Sequence, residues 1–197
     1  MLDTNYINKC IKKLKKKLKP SRLQHSFQVA GTAYALALRY GEDTDRAFLA
    51  GLLHDCAKCY PDEEQLKLCK KYGLHMTEFE ESHPFLLHAK LGAFLAMKDY
   101  GVRDDKICSA ILHHTTGARK MPLLDEILFV ADYMEPGRNK APNLPLIRKK
   151  AFEDLEETIL LVYEGTLQYL KSSGSDIDEQ SIEAFEYYQN KRSESHG

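Results

Sequence analysis

Apolar residues recur at intervals of three and four along almost the whole chain, and no stretch alternates strictly between apolar and polar positions inside turn-like boundaries. This periodicity predicts a nearly all-α protein. In the first segment Ile7, Ile11, Leu14 and Leu18 share one face, lysines occupy the other, and Pro20 stops the run. Ser21 followed by Gln24 has the form of a capping box, and the helix it opens runs through HSFQVAGTAYALALRY to Gly41, a residue suited to a left-handed C-terminal turn. A second helix begins near Asp43 or Thr44 and carries AFLAGLLHDCAK, with Ala47, Ala50, Gly51 and His54 on one stripe. Small residues there let neighbouring helices approach closely.

Further along, Pro61 and Asp62 begin a charged helix that ends at Gly73, and Thr77 with Glu80 repeats the capping-box pattern. Pro84 starts PFLLHAKLGAFLAMKDY, helical up to Gly101, with His88, Leu91 and Leu95 on one stripe. Asp104 or Asp105 caps KICSAILHH, in which Ile107, Ile111 and His114 share a face. Pro122 opens LLDEILFVADYM, where Leu124, Leu128 and Asp132 line up before Pro136-Gly137. Two more helices start near Asp154 and Asp178, and the closing RSESHG reads as frayed. The expected organisation is one helical-bundle domain over 1–192 and a tail at 193–197.

Composition narrows this picture little but usefully. Hydrophobic residues make up 43% and charged residues 29% of the 197 positions, the balance of a folded globular domain. A formal charge of −1 gives no overall field for nucleic acid or an anionic membrane, so an anionic ligand needs a local positive site. The lysine run KKLKKKLK reads as the solvated face of an amphipathic helix. The polar start MLDTNYINKC and the lack of a long apolar run predict a cytoplasmic protein without a membrane span. Five irregularly spaced cysteines predict reduced thiols, and Cys56-x-x-Cys59, with no second thiol pair at matching spacing, reads as packing.

The chemistry lies in where polar residues interrupt the apolar stripes. His25, His54 with Asp55, His88, His114 and Asp132 each fall on or beside the apolar face of a different predicted helix. One such histidine is ordinarily a hydrogen-bonded core residue. Five such coincidences are costly to bury without a compensating ion, whereas one or two cations satisfy all of them. Mixed imidazole and carboxylate donors suit iron, manganese, cobalt, nickel or zinc rather than magnesium or calcium, and the donor count points to two ions with an aspartate bridging them. His75, His83, His113 and His196 read as surface residues.

The order H, HD, H, H, D resembles that of the HD-domain metal phosphohydrolases. RLQHS, GLLHDCAK, LLHAKLGA, HHTTG and VADYMEPGR are similar to the YqeK-type branch of that family over nearly the whole chain. The resemblance implies an HD-type helical bundle and symmetrical cleavage of diadenosine tetraphosphate to two ADP, by attack of a metal-bound hydroxide at a two-iron or similar site. It assigns His25, His54, Asp55 and Asp132 to one ion, and Asp55, His88 and His114 to the other, with Asp55 bridging. Asp55 and Lys58 are then the catalytic candidates, Lys58 adding positive charge toward the leaving group. Arg22, Arg119 and Arg138 are candidates for holding a polyphosphate, Arg138 foremost, because guanidinium forks match phosphate oxygens. The Thr115-Thr116-Gly117 turn either offers hydroxyls and N–H groups to a phosphate or simply ends its helix. A nucleotidase or cyclic-nucleotide phosphodiesterase on the same site stays open, as does a homodimer. A non-enzymatic module is disfavoured, because a structural ion is usually closed by four protein ligands.

Overall fold

The computed structural model describes residues 3–195. Eleven α-helices account for the secondary structure together with one 3-10 turn, and the described residues contain no strand. In chain order they are α1 (Thr4–Lys17), α2 (Pro20–Tyr40), α3 (Thr44–Leu53), α4 (Asp62–Lys71), α5 (Glu78–Ser82), α6 (Leu87–Lys98), α7 (Asp105–His113), α8 (Leu123–Met134), α9 (Leu144–Lys150), α10 (Leu155–Ser173) and α11 (Glu179–Ser195). The nearly all-α architecture expected from the periodicity is the one observed.

Local chemistry sets many of these boundaries. Asp43, Asp104 and Asp154 accept from the backbone N–H groups of Arg46, Lys106 and Glu157 at 3.0, 3.0 and 2.9 Å, so each satisfies an otherwise orphaned donor in the first turn. Thr77 and Glu80 form the reciprocal capping box at 3.1 and 2.9 Å. Gly41, at φ 74°, ends α2 in the left-handed conformation.

Several boundaries differ from expectation; Pro84, for one, opens a 3-10 turn, Pro84–Leu86, and α6 itself runs only from Leu87 to Lys98. Ser21 does not cap α2; Pro20 occupies its first turn after Lys19, because proline lacks the N–H that the first helical position leaves unpaired and already has a helical φ. α3 ends at Leu53, and tight turns, such as Cys56 N–H to Leu53 O at 2.9 Å and Lys58 N–H to Asp55 O at 3.0 Å, carry His54 through Cys59. α9 lies where no helix was expected, between Pro136-Gly137 and Asp154, and Pro145 sits in its first turn, where proline is tolerated. Of the expected frayed tail, residues 193–195 belong to α11, and His196 and Gly197 lie outside the described residues.

The interior is one continuous apolar cluster reaching from Cys10 on α1 to Tyr188 on α11. α2, α3, α7 and α8 pack on one another at its centre, α6 packs on α7, and α9, α10 and α11 close the far side of α8. Leu36, Leu52, Leu91, Ile111 and Leu128 are fully buried, each worth about 1.5–3 kcal/mol of transfer free energy. α2 and α3 meet at a glycine: a Cβ on Gly51 would stand 2.6 Å from Ala30 Cα, so only a bare backbone fits. Gly92 on α6 likewise lies close to the His54 carbonyl, 3.2 Å from where its Cβ would be. No described helix is long and apolar enough to cross a membrane.

Candidate metal centre

Helix termini deliver the polar residues to one place. His25 projects from the start of α2, His54 and His114 directly follow α3 and α7, His88 lies in the first turn of α6, and Asp132 is near the end of α8. The last carbonyls of a helix have no partner within it. His54 and His114 supply one: their Nδ1–H groups donate to Gly51 O and Ile111 O, both at 2.7 Å. His88 Nδ1–H donates to Phe85 O at 2.6 Å in the turn preceding α6. His25 Nδ1–H donates instead to a side chain, Glu135 Oε1, at 3.2 Å.

These bonds decide the tautomers. A carbonyl or an ionised carboxylate only accepts, so each Nδ1 carries the proton and each Nε2 presents a lone pair to the centre. His25 Nε2 and His54 Nε2 are 3.2 Å apart, and so are His88 Nε2 and His114 Nε2. Two acceptors face each other in both pairs, an unfavourable contact unless a proton or a cation lies between them. Nitrogens bound to one ion at about 2.0–2.1 Å subtend roughly 100° at that separation, an angle compatible with tetrahedral or octahedral coordination.

Asp55 lies between the pairs. Its Oδ2 is 3.7 Å from His25 Nε2 and 3.4 Å from His54 Nε2, while Oδ1 is 3.7 Å from His88 Nε2 and 3.8 Å from His114 Nε2. Asp132 Oδ1 joins the first pair, at 3.0 Å from His25 Nε2 and 3.8 Å from His54 Nε2. Every one of the six expected ligands is therefore in one cluster, and three overlapping triads of donors, each mutually within 4.8 Å, can be drawn through it. The donors are nitrogen and oxygen, a set suited to borderline transition metals. The residues fit a pair of cations.

Electrostatics separates the two pairs: burial opposes a charge on His54, but Asp55 and then Asp132 raise it above the ordinary imidazole value, whereas the second pair is lowered. Burial, reinforced by the neighbouring His114 and Lys58, pushes His88 down to about 3; burial and His54 push His114 down to about 4. Both imidazoles thus stay neutral and able to ligate. Burial opposes ionisation of Asp55 and Asp132 too, but the surrounding imidazoles, His54 foremost for Asp55 and His25 for Asp132, hold both carboxyls below the usual range.

Around the cluster stand the cationic candidates. Arg22 Nη1 donates to Asp55 Oδ2 at 2.7 Å, and Arg138 Nη2 to Asp132 Oδ1 at 3.0 Å and to the Asp132 carbonyl at 2.8 Å. Both arginines line an open hollow of about 330 Å³ that is also lined by His25, Glu135 and Lys140. Lys58 is half-buried, its ammonium disfavoured by burial and favoured by Asp55. Thr115 Oγ lies 3.0 Å from His88 Nε2 and 3.1 Å from His114 Nε2, within the cluster. Thr116 and Gly117 turn away: the Thr116 carbonyl accepts from Tyr163 and Ser181, Gln180 donates to the Gly117 carbonyl, and the Gly117 N–H closes the turn on His113 O. Arg119 is exposed.

Other sequence candidates sort differently. Cys56 is buried, with its thiol near Gly92 O at 3.5 Å, and Cys59 is half-buried; neither belongs to the donor triads. His75 is exposed as expected. His113 and His83 are not plain surface residues: His113 is half-buried and bound to the fully buried Asp125 at 2.7 Å, because Asp125 needs a partner there, and His83 stacks on Phe79. Glu135 and Arg148 were not anticipated. Arg148 Nε donates to Met134 O at 2.9 Å, and its Nη2 to Glu135 O and Arg138 O at 2.8 and 2.7 Å, fixing the segment that carries Glu135 and Arg138. An acidic residue between an apolar helix end and Pro-Gly was the available signal for Glu135.

Comparison with known proteins places this cluster. The HD domain model matches residues 22–137. The chain is 34% identical over 166 residues to "Bis(5'-nucleosyl)-tetraphosphatase, symmetrical" of Bacillus subtilis (strain 168), covering 83% of this chain and 87% of that one. It is 32% identical over 184 residues to the protein of the same name from Staphylococcus aureus, covering 92% and 94%. An HD superfamily hydrolase from Clostridium acetobutylicum, described as involved in NAD metabolism, superposes with a TM-score of 0.91 at 36% identity, over 94% of this chain and 97% of that one. The matched segment spans more than half the chain and runs from Arg22 past Asp132, so the whole imidazole and carboxylate cluster falls inside it, and the chain belongs to the HD domain family.

Proposed function

We propose that this protein is a metal-dependent symmetrical diadenosine tetraphosphate hydrolase, adding water across the central phosphoanhydride to release two ADP. The observation that carries the proposal is the pair of facing Nε2 atoms at 3.2 Å on each side of Asp55, one carboxylate oxygen toward each pair. The names of the relatives from Bacillus subtilis and Staphylococcus aureus supply the substrate. The site takes two cations, iron in this proposal: His25, His54, Asp55 and Asp132 hold one, and Asp55, His88 and His114 the other. When bound, they supply Lewis acidity at phosphorus and make water nucleophilic near neutral pH.

The chain's own residues do the rest. Nδ1–H bonds hold the four imidazoles with Nε2 inward, so a cation would find its nitrogen donors already oriented. Arg22 and Arg138 neutralise Asp55 and Asp132 when no other cation does; with the carboxylates engaged, these guanidinium groups turn to the polyphosphate, whose oxygens they match in pairs. Lys58 holds positive charge beside Asp55 for the departing diphosphate. The Thr115 hydroxyl, between His88 and His114, is the member of the TTG turn placed to meet a substrate oxygen; Thr116 and Gly117 support that turn. One continuous core from Cys10 to Tyr188 supports a single catalytic domain over 1–192. Five free cysteines are compatible with work in the reducing cytoplasm.

The test is incubation of the manganese- or iron-loaded full chain with diadenosine tetraphosphate, with products separated by ion-exchange chromatography. ADP as sole product is expected. AMP with ATP would contradict the symmetrical cleavage, and turnover of mononucleotides alone would move the assignment to a nucleotidase.

A further inference from the structure

Three of the four inward-facing imidazoles are fixed by backbone. The carbonyls of Gly51, Phe85 and Ile111 hold His54, His88 and His114, and no side-chain substitution removes those acceptors. His25 alone depends on a side chain, the buried carboxylate of Glu135 at 3.2 Å. Glu135 sits just past the end of α8, and its second oxygen accepts the Gly137 N–H. Arg148, reaching from α9, clamps the carbonyls of Met134, Glu135 and Arg138 around it. A carboxylate behind a ligating imidazole raises the basicity of the far nitrogen more than a neutral carbonyl does. The two sides of Asp55 are therefore built unequally.

We propose that Glu135 is a positioning residue that makes the two cation positions unequal. Through His25 it ties the position at His25, His54 and Asp132 to the 135–138 segment and its Arg148 clamp, while the position at His88 and His114 is held by helix-end backbone alone. The first position is then the one whose occupancy this chain tunes: its affinity follows the order of a surface segment that also carries Arg138, at the rim of the hollow. This rests on the two-cation reading of the centre. It adds that disturbing the segment empties one position selectively.

The experiment is calorimetric titration of the metal-stripped full chain with Mn²⁺, comparing wild type with Glu135→Gln and Arg148→Lys. Glutamine keeps an acceptor for the His25 Nδ1–H but removes the charge; Arg148→Lys loosens the clamp without touching any ligand. Wild type is expected to take up two ions. In both variants one binding event weakens by about 10- to 100-fold, the range for outer partners of metal ligands, and the other is unchanged. Long-range ¹H–¹⁵N spectra of the imidazoles add a readout independent of metal: in Glu135→Ala, which leaves no acceptor, His25 alone loses its fixed Nδ1–H tautomer, and in Glu135→Gln it keeps it. Equal weakening of both events, or no change in either variant, overturns the inference while leaving the two-cation reading intact. A wild-type protein that binds fewer than two ions overturns both.

Discussion

A single carboxylate, Asp55, is the point at which chemistry and fold meet. It is buried among four imidazoles and paired with Arg22, and both of its oxygens are committed. Replacing it by asparagine removes the negative charge and puts an amide N–H₂ toward one imidazole pair. The expected outcome for Asp55→Asn is loss of turnover and of ion binding beyond the hundredfold ceiling of an outer-shell change, with the helical circular dichroism of the folded chain retained. Glu126 and Tyr188 give a second prediction that leaves the centre alone. Tyr188 donates to the buried Glu126 carboxylate at 2.7 Å, and burial with that partner sets the pair apart from solvent. Tyr188→Phe leaves the carboxylate without its donor, so denaturant unfolding should show a loss of about 1–3 kcal/mol, with Mn²⁺ uptake unchanged.

At the scale of the element, the helices and their ends explain why so much of the centre was legible in the chain. Leu124, Leu128 and Asp132 keep helical spacing on α8, and Ile107, Ile111 and His114 do so along α7 and just past its end, so interruptions of apolar stripes marked the ligands. His54 and Asp55 were placed on a helix and in fact follow it, since periodicity cannot say where backbone bonding changes from four-residue to three-residue closure. Glu135 and α9 were invisible for a related reason: beside Pro136, Pro142 and Pro145 the local signal is loop, and only the long-range bonds of Arg148 give that segment its form. The α2–α3 crossing yields a test of element packing. Gly51→Ala forces a methyl against the Ala30 backbone, and separating α2, which carries His25, from α3, which leads into His54, should cost about 1–3 kcal/mol by urea unfolding and weaken Mn²⁺ binding as well.

For the whole molecule, the centre joins the early and late helices of a continuous bundle, so cation binding and global stability are linked. The apolar cluster extends well beyond the centre, and Arg22 and Arg138 face the two aspartates. Mn²⁺ at a hundred times its dissociation constant should then raise stability by about 2.7 kcal/mol per ion, and chelation should reverse the gain in the thermal midpoint. A midpoint insensitive to Mn²⁺ would mean that the converged imidazoles bind no ion tightly. The most direct measurement is an anomalous difference map from crystals of the full chain grown with Mn²⁺. Two peaks are predicted, one between the Nε2 atoms of His25 and His54 and one between those of His88 and His114, each beside a different oxygen of Asp55. A map with no peak there, or with one ion serving all four imidazoles, would contradict the two-cation centre.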